Sequence, residues 1–127
     1  MKIASTIARY LLGLIFLVFG LNGFLHFIPM PPPKGVAAQQ FGGAIFTSGY
    51  WVVIFGIQVL GGVLLLVNRY VVLALILLGP VVVNIVFFHF LMAPEGIPLA
   101  SVVTILWIIL AVRYKQYLAS IFVQRPA

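Results

Sequence analysis

An all-α integral membrane protein, one transmembrane domain over residues 1–127, is predicted by three features of the sequence. Only 6% of the residues are charged while 65% are apolar, whereas soluble domains carry about 25% charged residues because their surface has to be solvated. The mean hydropathy is +1.29, so the bilayer is the solvent for most of the chain. The apolar residues also gather into four runs, each close to the roughly 20 residues a helix needs to cross hydrocarbon while satisfying its own backbone.

The first run extends from about Thr6 to Ile28 and is stopped by Pro29, Pro31, Pro32 and Pro33, none of which continues a helix comfortably. Lys2 and Arg9 ahead of an apolar run also fit a secretory signal. No small-x-small site follows, however, and Asn22, His26 and the prolines are poor cleavage context, so this helix is expected to stay. The stretch from Pro29 to Gly49 is too polar and too short to span. It carries Ala37, Ala38, Phe41, Ile45 and Phe46 at approximately helical spacing, which predicts a short helix along the outer interface over the mouth of the bundle, with a plain loop as the alternative. The second span runs from Tyr50 to Val67 and the third from Val71 to Met92. The Asn68-Arg69-Tyr70 link makes them an antiparallel hairpin. Gly79-Pro80 should bend the third span and open space near Asn84, because Pro80 offers no amide hydrogen to the Ile76 carbonyl. The fourth runs from Pro98, suited to a first helical turn, to Tyr114.

A four-helix bundle of this order puts both termini on one side with Lys2, Arg9, Arg69, Arg113, Lys115 and Arg125, leaving Lys34 and Glu95 on the other. The positive-inside rule then makes the termini cytoplasmic. Helical spans point to a bacterial inner (plasma) membrane, since outer-membrane proteins are closed barrels. Arg9 is expected to snorkel from the helix start. Tyr10, Tyr70, Tyr114 and Tyr117 would lie near the inner boundary and Tyr50 and Trp51 near the outer one. The net charge of +6 does not point to nucleic acid, because the basic residues are scattered singly and form no face. With no cysteine, thiol redox cycles, disulfides and iron–sulfur clusters are excluded; redox chemistry would need a cofactor or a partner protein.

Helices in lipid gain little from hydrophobic attraction to one another, so the few polar residues within the spans carry the functional information. Asn22 and His26 stand at i and i+4 on the first span, Gln58 near the centre of the second, and Asn84 and His89 on the third. At ~1.5 Å per residue, His26 lies ~26 Å beyond Arg9 and His89 ~30 Å beyond Arg69, which sets the two imidazoles at one level. These five residues are therefore the candidate lining of an outward-opening pocket. Two neutral imidazoles could hydrogen-bond a quinone carbonyl, ligate a haem axially, or hold a metal with Glu95. Haem ranks below quinone because two single histidines without a supporting motif are a weak signal. A metal ranks lower still, as no third histidine exists. The plain alternative is that the five residues only bond across helices and fix the packing. Gly13 and Gly20, and Gly56 with Gly61-Gly62, would let backbones approach, favouring a compact bundle or homo-oligomer contacts. Catalysis by the chain alone is not expected: the spans contain no carboxylate pair, activated nucleophile or phosphate loop. A transporter is also disfavoured, as one such chain lacks inverted repeats.

The run from Leu11 to Pro31, with Gly20-Leu21-Asn22-Gly23-Phe24-Leu25-His26-Phe27-Ile28-Pro29 at its centre, resembles the start of the DoxX family of four-helix membrane proteins. Thr47-Ser48-Gly49-Tyr50, Gly61-Gly62 through Val67-Asn68-Arg69, and Asn84-Ile85-Val86-Phe87-Phe88-His89 resemble three later motifs of that family, so the likeness covers essentially the whole chain. The resemblance implies a four-helix bundle and a loose association with membrane redox systems, as in subunits of thiosulfate:quinone oxidoreductase and membrane partners of amine dehydrogenase maturation. On that basis the chain is expected to be a subunit or accessory of a quinone-linked system; a scaffold acting through oligomer or partner contacts and a haem-binding electron carrier are the alternatives. One departure is Gln58, where the family often has an acidic residue. An amide does not titrate, so proton-coupled chemistry at that position is not expected.

Overall fold

The structure, a computed structural model describing residues 2–127, is all-helical. Its helices are α1 (Lys2–Leu25), α2 (Val36–Ser48), α3 (Tyr50–Leu66), α4 (Val71–Leu91), α5 (Ile97–Arg113) and a single turn, α6 (Lys115–Leu118). Helix α1, helix α4 and the segment Pro94–Arg113 are each long and apolar enough to cross a membrane. The fourth candidate is the pair α2 and α3, bent by 90°. The expected short helix after the first span is present as α2.

Packing joins the four long helices in a ring: α1 lies against α3 and α5, and α4 against the same two. Leu12, Phe16, Leu65, Leu75, Leu78 and Leu110 are the largest fully buried side chains. Glycine decides how closely α1 and α3 approach. A β-carbon on Gly62 would come 2.6 Å from the Leu17 amide nitrogen and 2.9 Å from the Gly13 carbonyl oxygen, so the two backbones touch there. At Gly20 it would meet Val59 at 2.9 Å, and at Gly61 it would meet Leu78 of α4 at 2.6 Å. These small residues therefore act within the chain, in the manner of small-residue seams between helices in lipid.

Helix ends follow from local chemistry. Asn68, with φ 56°, ends α3: its amide donates to the Leu65 carbonyl at 3.3 Å and the Arg69 amide to the Leu64 carbonyl at 3.1 Å. This is the paired closure of a Schellman turn, and asparagine tolerates the left-handed position better than most residues. Arg9 adds a further cap. Rather than snorkelling, it is 7% exposed and its Nη1 donates to the carbonyl oxygens of Leu65 and, at 3.4 Å, Leu66, while its guanidinium lies 4.4 Å from the centroid of the Tyr10 ring. The cation meets the negative end of the α3 dipole. Those carbonyls end the helix without intrahelical donors of their own, and the inward-turned arginine supplies one.

Helix α1 stops at Leu25, three residues short of the expected end. His26 takes a left-handed φ of 52°, and the Asn22 side chain grips the chain beyond it, accepting from the Ile28 amide at 2.7 Å and donating to the Ile28 carbonyl at 3.2 Å. Helix α4, by contrast, runs through Pro80 without interruption. The indole of Trp107 on α5 donates to the Leu75 carbonyl at 3.1 Å, bracing the turn that the proline ring crowds.

Candidate functional site

Between α2, α3 and α4 lies an open cavity of about 740 Å³, within the range of small-molecule sites. Its shape originates at Gly49. That residue holds φ 80°, a conformation glycine adopts without strain, and it closes α2 and opens α3. The corner lays α2 across α3, where Phe46 meets Trp51 and Phe55 at ring separations of 6.1 and 6.2 Å. Farther along α2, Phe41 reaches α4 and meets Phe88 at 5.6 Å. Three elements thus form aromatic walls around a space that their backbones leave open. The α4 wall includes Pro80 and Val81, where the sequence predicts extra room near Asn84.

Three of the five candidate residues line this groove: Gln58 on α3, and Asn84 and His89 on α4. Gln58 is 7% exposed, and no hydrogen bond from another described residue engages its amide. Among the described residues no enclosed side-chain nitrogen or oxygen lacks a partner, so the polar end of Gln58 opens into the groove rather than into packed protein. Asn84 donates through Nδ2 to the Pro80 carbonyl at 2.8 Å, which leaves Oδ1 uncommitted. His89 is half-buried, its Nδ1 3.1 Å from the Ala93 carbonyl oxygen, with Phe88 edge-on at 5.1 Å. The Pro94–Gly96 turn closes over the ring, and a β-carbon on Gly96 would collide with it.

The other two residues sit elsewhere. Asn22 is engaged by Ile28 in the turn that ends α1. His26 lies beyond the helix on an outward-facing turn, so it does not share a helical face with Asn22. Neither lines the groove. Glu95 is exposed in the short turn above His89, and among the described residues no three histidine, aspartate or glutamate side chains converge. A smaller space of about 280 Å³ between α4 and α5 is lined by Ala100, Ser101 and Thr104. The Thr104 hydroxyl there is already bonded back to the Ala100 carbonyl at 2.7 Å.

The sequence singles out the polar members of the groove but not its aromatic walls. Phe41 and Phe46 appear among the apolar positions of the interfacial segment, yet only the 90° corner brings them over α3 and α4. Chemically, the arrangement can sandwich a flat apolar ring and hydrogen-bond polar atoms at its rim. No protein-family model matches the chain, and no curated protein or solved structure is found to be similar to it.

Proposed function

We propose that this chain is a DoxX-like subunit or accessory of a quinone-linked redox system in a bacterial inner membrane, and that the groove between α2, α3 and α4 is its ligand site. In this reading the four long helices form a membrane-spanning bundle with cytoplasmic termini, α2 lies in the outer interface, and a partner protein supplies or accepts electrons. The motifs around Asn22, Gly49, Asn68 and His89 support this reading, as do the helix order and the presence of the short helix α2 after the first long one.

One observation carries the ligand site: Gln58, a residue only 7% exposed in the middle of an apolar helix, has an amide that no group among the described residues bonds and that is not enclosed, at the wall of an aromatic groove. An amide in hydrocarbon costs free energy unless something bonds it. Elsewhere the buried polar side chains of this protein have found internal partners, as Arg9 and Asn22 do. A ring with oxygen atoms at its edge suits Gln58, Asn84 and His89, with Phe41, Phe55 and Phe88 on its faces. Asn22 enters this proposal as a positioning residue that holds the turn after α1.

The test is thermal unfolding of the full chain in lipid nanodiscs, with and without menadione, a tail-less naphthoquinone. Saturating ligand is expected to raise the midpoint, since a ligand at 100 times its Kd stabilises by about 2.7 kcal/mol. Gln58→Leu is expected to lose most of that rise. No stabilisation by either the oxidised or the reduced ring, together with no quinone among co-purified lipids, would overturn the proposal in favour of a scaffold. A Soret band after haem loading would favour the electron-carrier alternative.

A further inference from the structure

We infer that the groove favours the reduced, dihydroxylated form of its ring ligand over the dione, an inference that rests on the proposed quinone-type site. Hydrogen-bond polarity at His89 sets this preference. Its Nδ1 faces the Ala93 carbonyl oxygen at 3.1 Å. A carbonyl can only accept, so in the neutral imidazole Nδ1 holds the proton and Nε2 is left as an acceptor. Packing fixes this orientation as well as the bond does, because the Pro94–Gly96 turn closes against the ring and only glycine at position 96 leaves room for it. Nε2 has no partner among the described residues and is not enclosed; it lies at the edge of the Gly96 turn, 2.8 Å from where a β-carbon there would sit, on a residue that lines the groove.

The remaining polar groups set no opposing preference. Gln58 presents one donor and one acceptor end, and Asn84 keeps Oδ1 and a second N–H after its bond to Pro80. Either amide serves either form of the ring, and so does the Tyr50 hydroxyl, which can donate or accept, while the Ser48 hydroxyl is engaged by the Ile45 carbonyl and the Tyr50 amide. His89 therefore decides: a dione brings an oxygen lone pair against the lone pair of Nε2, whereas a hydroquinone brings an O–H that donates to it. Phe41, Phe55 and Phe88 recognise the flat ring in both forms. A site that holds the reduced form more tightly also raises the midpoint potential of the bound couple and makes the bound quinone the stronger oxidant toward a donor.

The experiment is an anaerobic binding titration of the full chain in nanodiscs with menadione and with menadiol. Menadiol is expected to bind about tenfold more tightly, the difference of one hydrogen bond to a fixed acceptor, which corresponds to a midpoint raised by about 30 mV for a two-electron couple. His89→Phe keeps a ring under Gly96 but removes Nε2, and should bring the ratio close to one. Asn84→Leu, at an exposed position on the groove wall of α4, should weaken both forms alike and preserve the ratio. Failure of both forms to bind overturns the quinone-type site itself. Binding of both with equal affinity, or tighter binding of menadione, overturns this inference and leaves that site standing; the wild-type ratio decides this even if His89→Phe does not fold. A ratio unchanged in a folded His89→Phe protein overturns the assignment to His89.

Discussion

Asn22 and Gln58 are both primary amides, and each is 7% exposed, yet they lie in regions built on opposite rules. Asn22 belongs to the tight side of the molecule, where α1 is pressed on α3. There Gly13, Gly20 and Gly62 let backbones touch, and the amide of Asn22 and the guanidinium of Arg9 are both engaged by main-chain atoms. Gln58 sits on the same α3, and its β-carbon lies 3.1 Å from where Gly20 would carry one, but its amide reaches the open side, where α2, α3 and α4 stand apart around aromatic rings. Equal burial thus conceals different roles. A buried polar group that closes its bonds internally holds the fold, and one left open is where the proposed ligand would bind.

The sharpest way to break this contrast is to overfill the tight side. Gly62→Ala places a methyl group 2.6 Å from a backbone nitrogen that cannot move without its helix, and should destabilise by about 3 kcal/mol in detergent unfolding. Gly42→Ala, with nothing within 4 Å of the added carbon, should be neutral or stabilising by up to about 1 kcal/mol through helix propensity. Arg9→Leu comes next. It removes charge-assisted bonds from the last turn of α3 and should cost about 2 kcal/mol in the same assay; a cost near zero would mean that the Schellman closure at Asn68 suffices. The two amides give the smallest and most diagnostic difference. Asn22→Leu strands the Ile28 amide and should cost about 1.5 kcal/mol. Gln58→Leu strands nothing in the chain and should leave ligand-free stability within about 0.5 kcal/mol of wild type, or above it. Equal losses would erase the distinction between the two sides.

Most helix boundaries are legible in the sequence because solvent and backbone chemistry set them together. Asn68-Arg69 separates the second and third runs, and helices α3, α4 and α5 begin and end within one residue of the apolar runs, whereas α1 ends at Leu25, before the prolines expected to stop it. Helix α2 is legible as well, since Ala38, the one fully enclosed residue of that segment, belongs to its apolar spacing. What the sequence does not carry is rotation about the helix axis and the exact turn at an end. Counting rise puts His26 and His89 at similar depths, but depth says nothing about direction, and the left-handed backbone at His26 removes it from the helix face altogether. The inward turn of Arg9 was closer to reach. The same count that makes Arg9 an inner marker also sets the carbonyl end of α3 at that level, and an arginine two turns into a helix facing such an end has a ready acceptor. The groove was half legible: its polar rim stands out against apolar sequence, while its aromatic walls look like any other lipid-facing phenylalanines until the corner at Gly49 is known.

That corner gears one wall of the groove to the chain in a way that tolerates no slack. A single residue joins α2 to α3, so each helix is the other's axle. One amino acid inserted between Ser48 and Tyr50 would lengthen the one-residue corner that sets the 90° angle between α2 and α3, and should displace Phe41 and Phe46 from the cleft. Sequence drift within α2 can retune what the wall touches, but any change of length at position 49 rebuilds it.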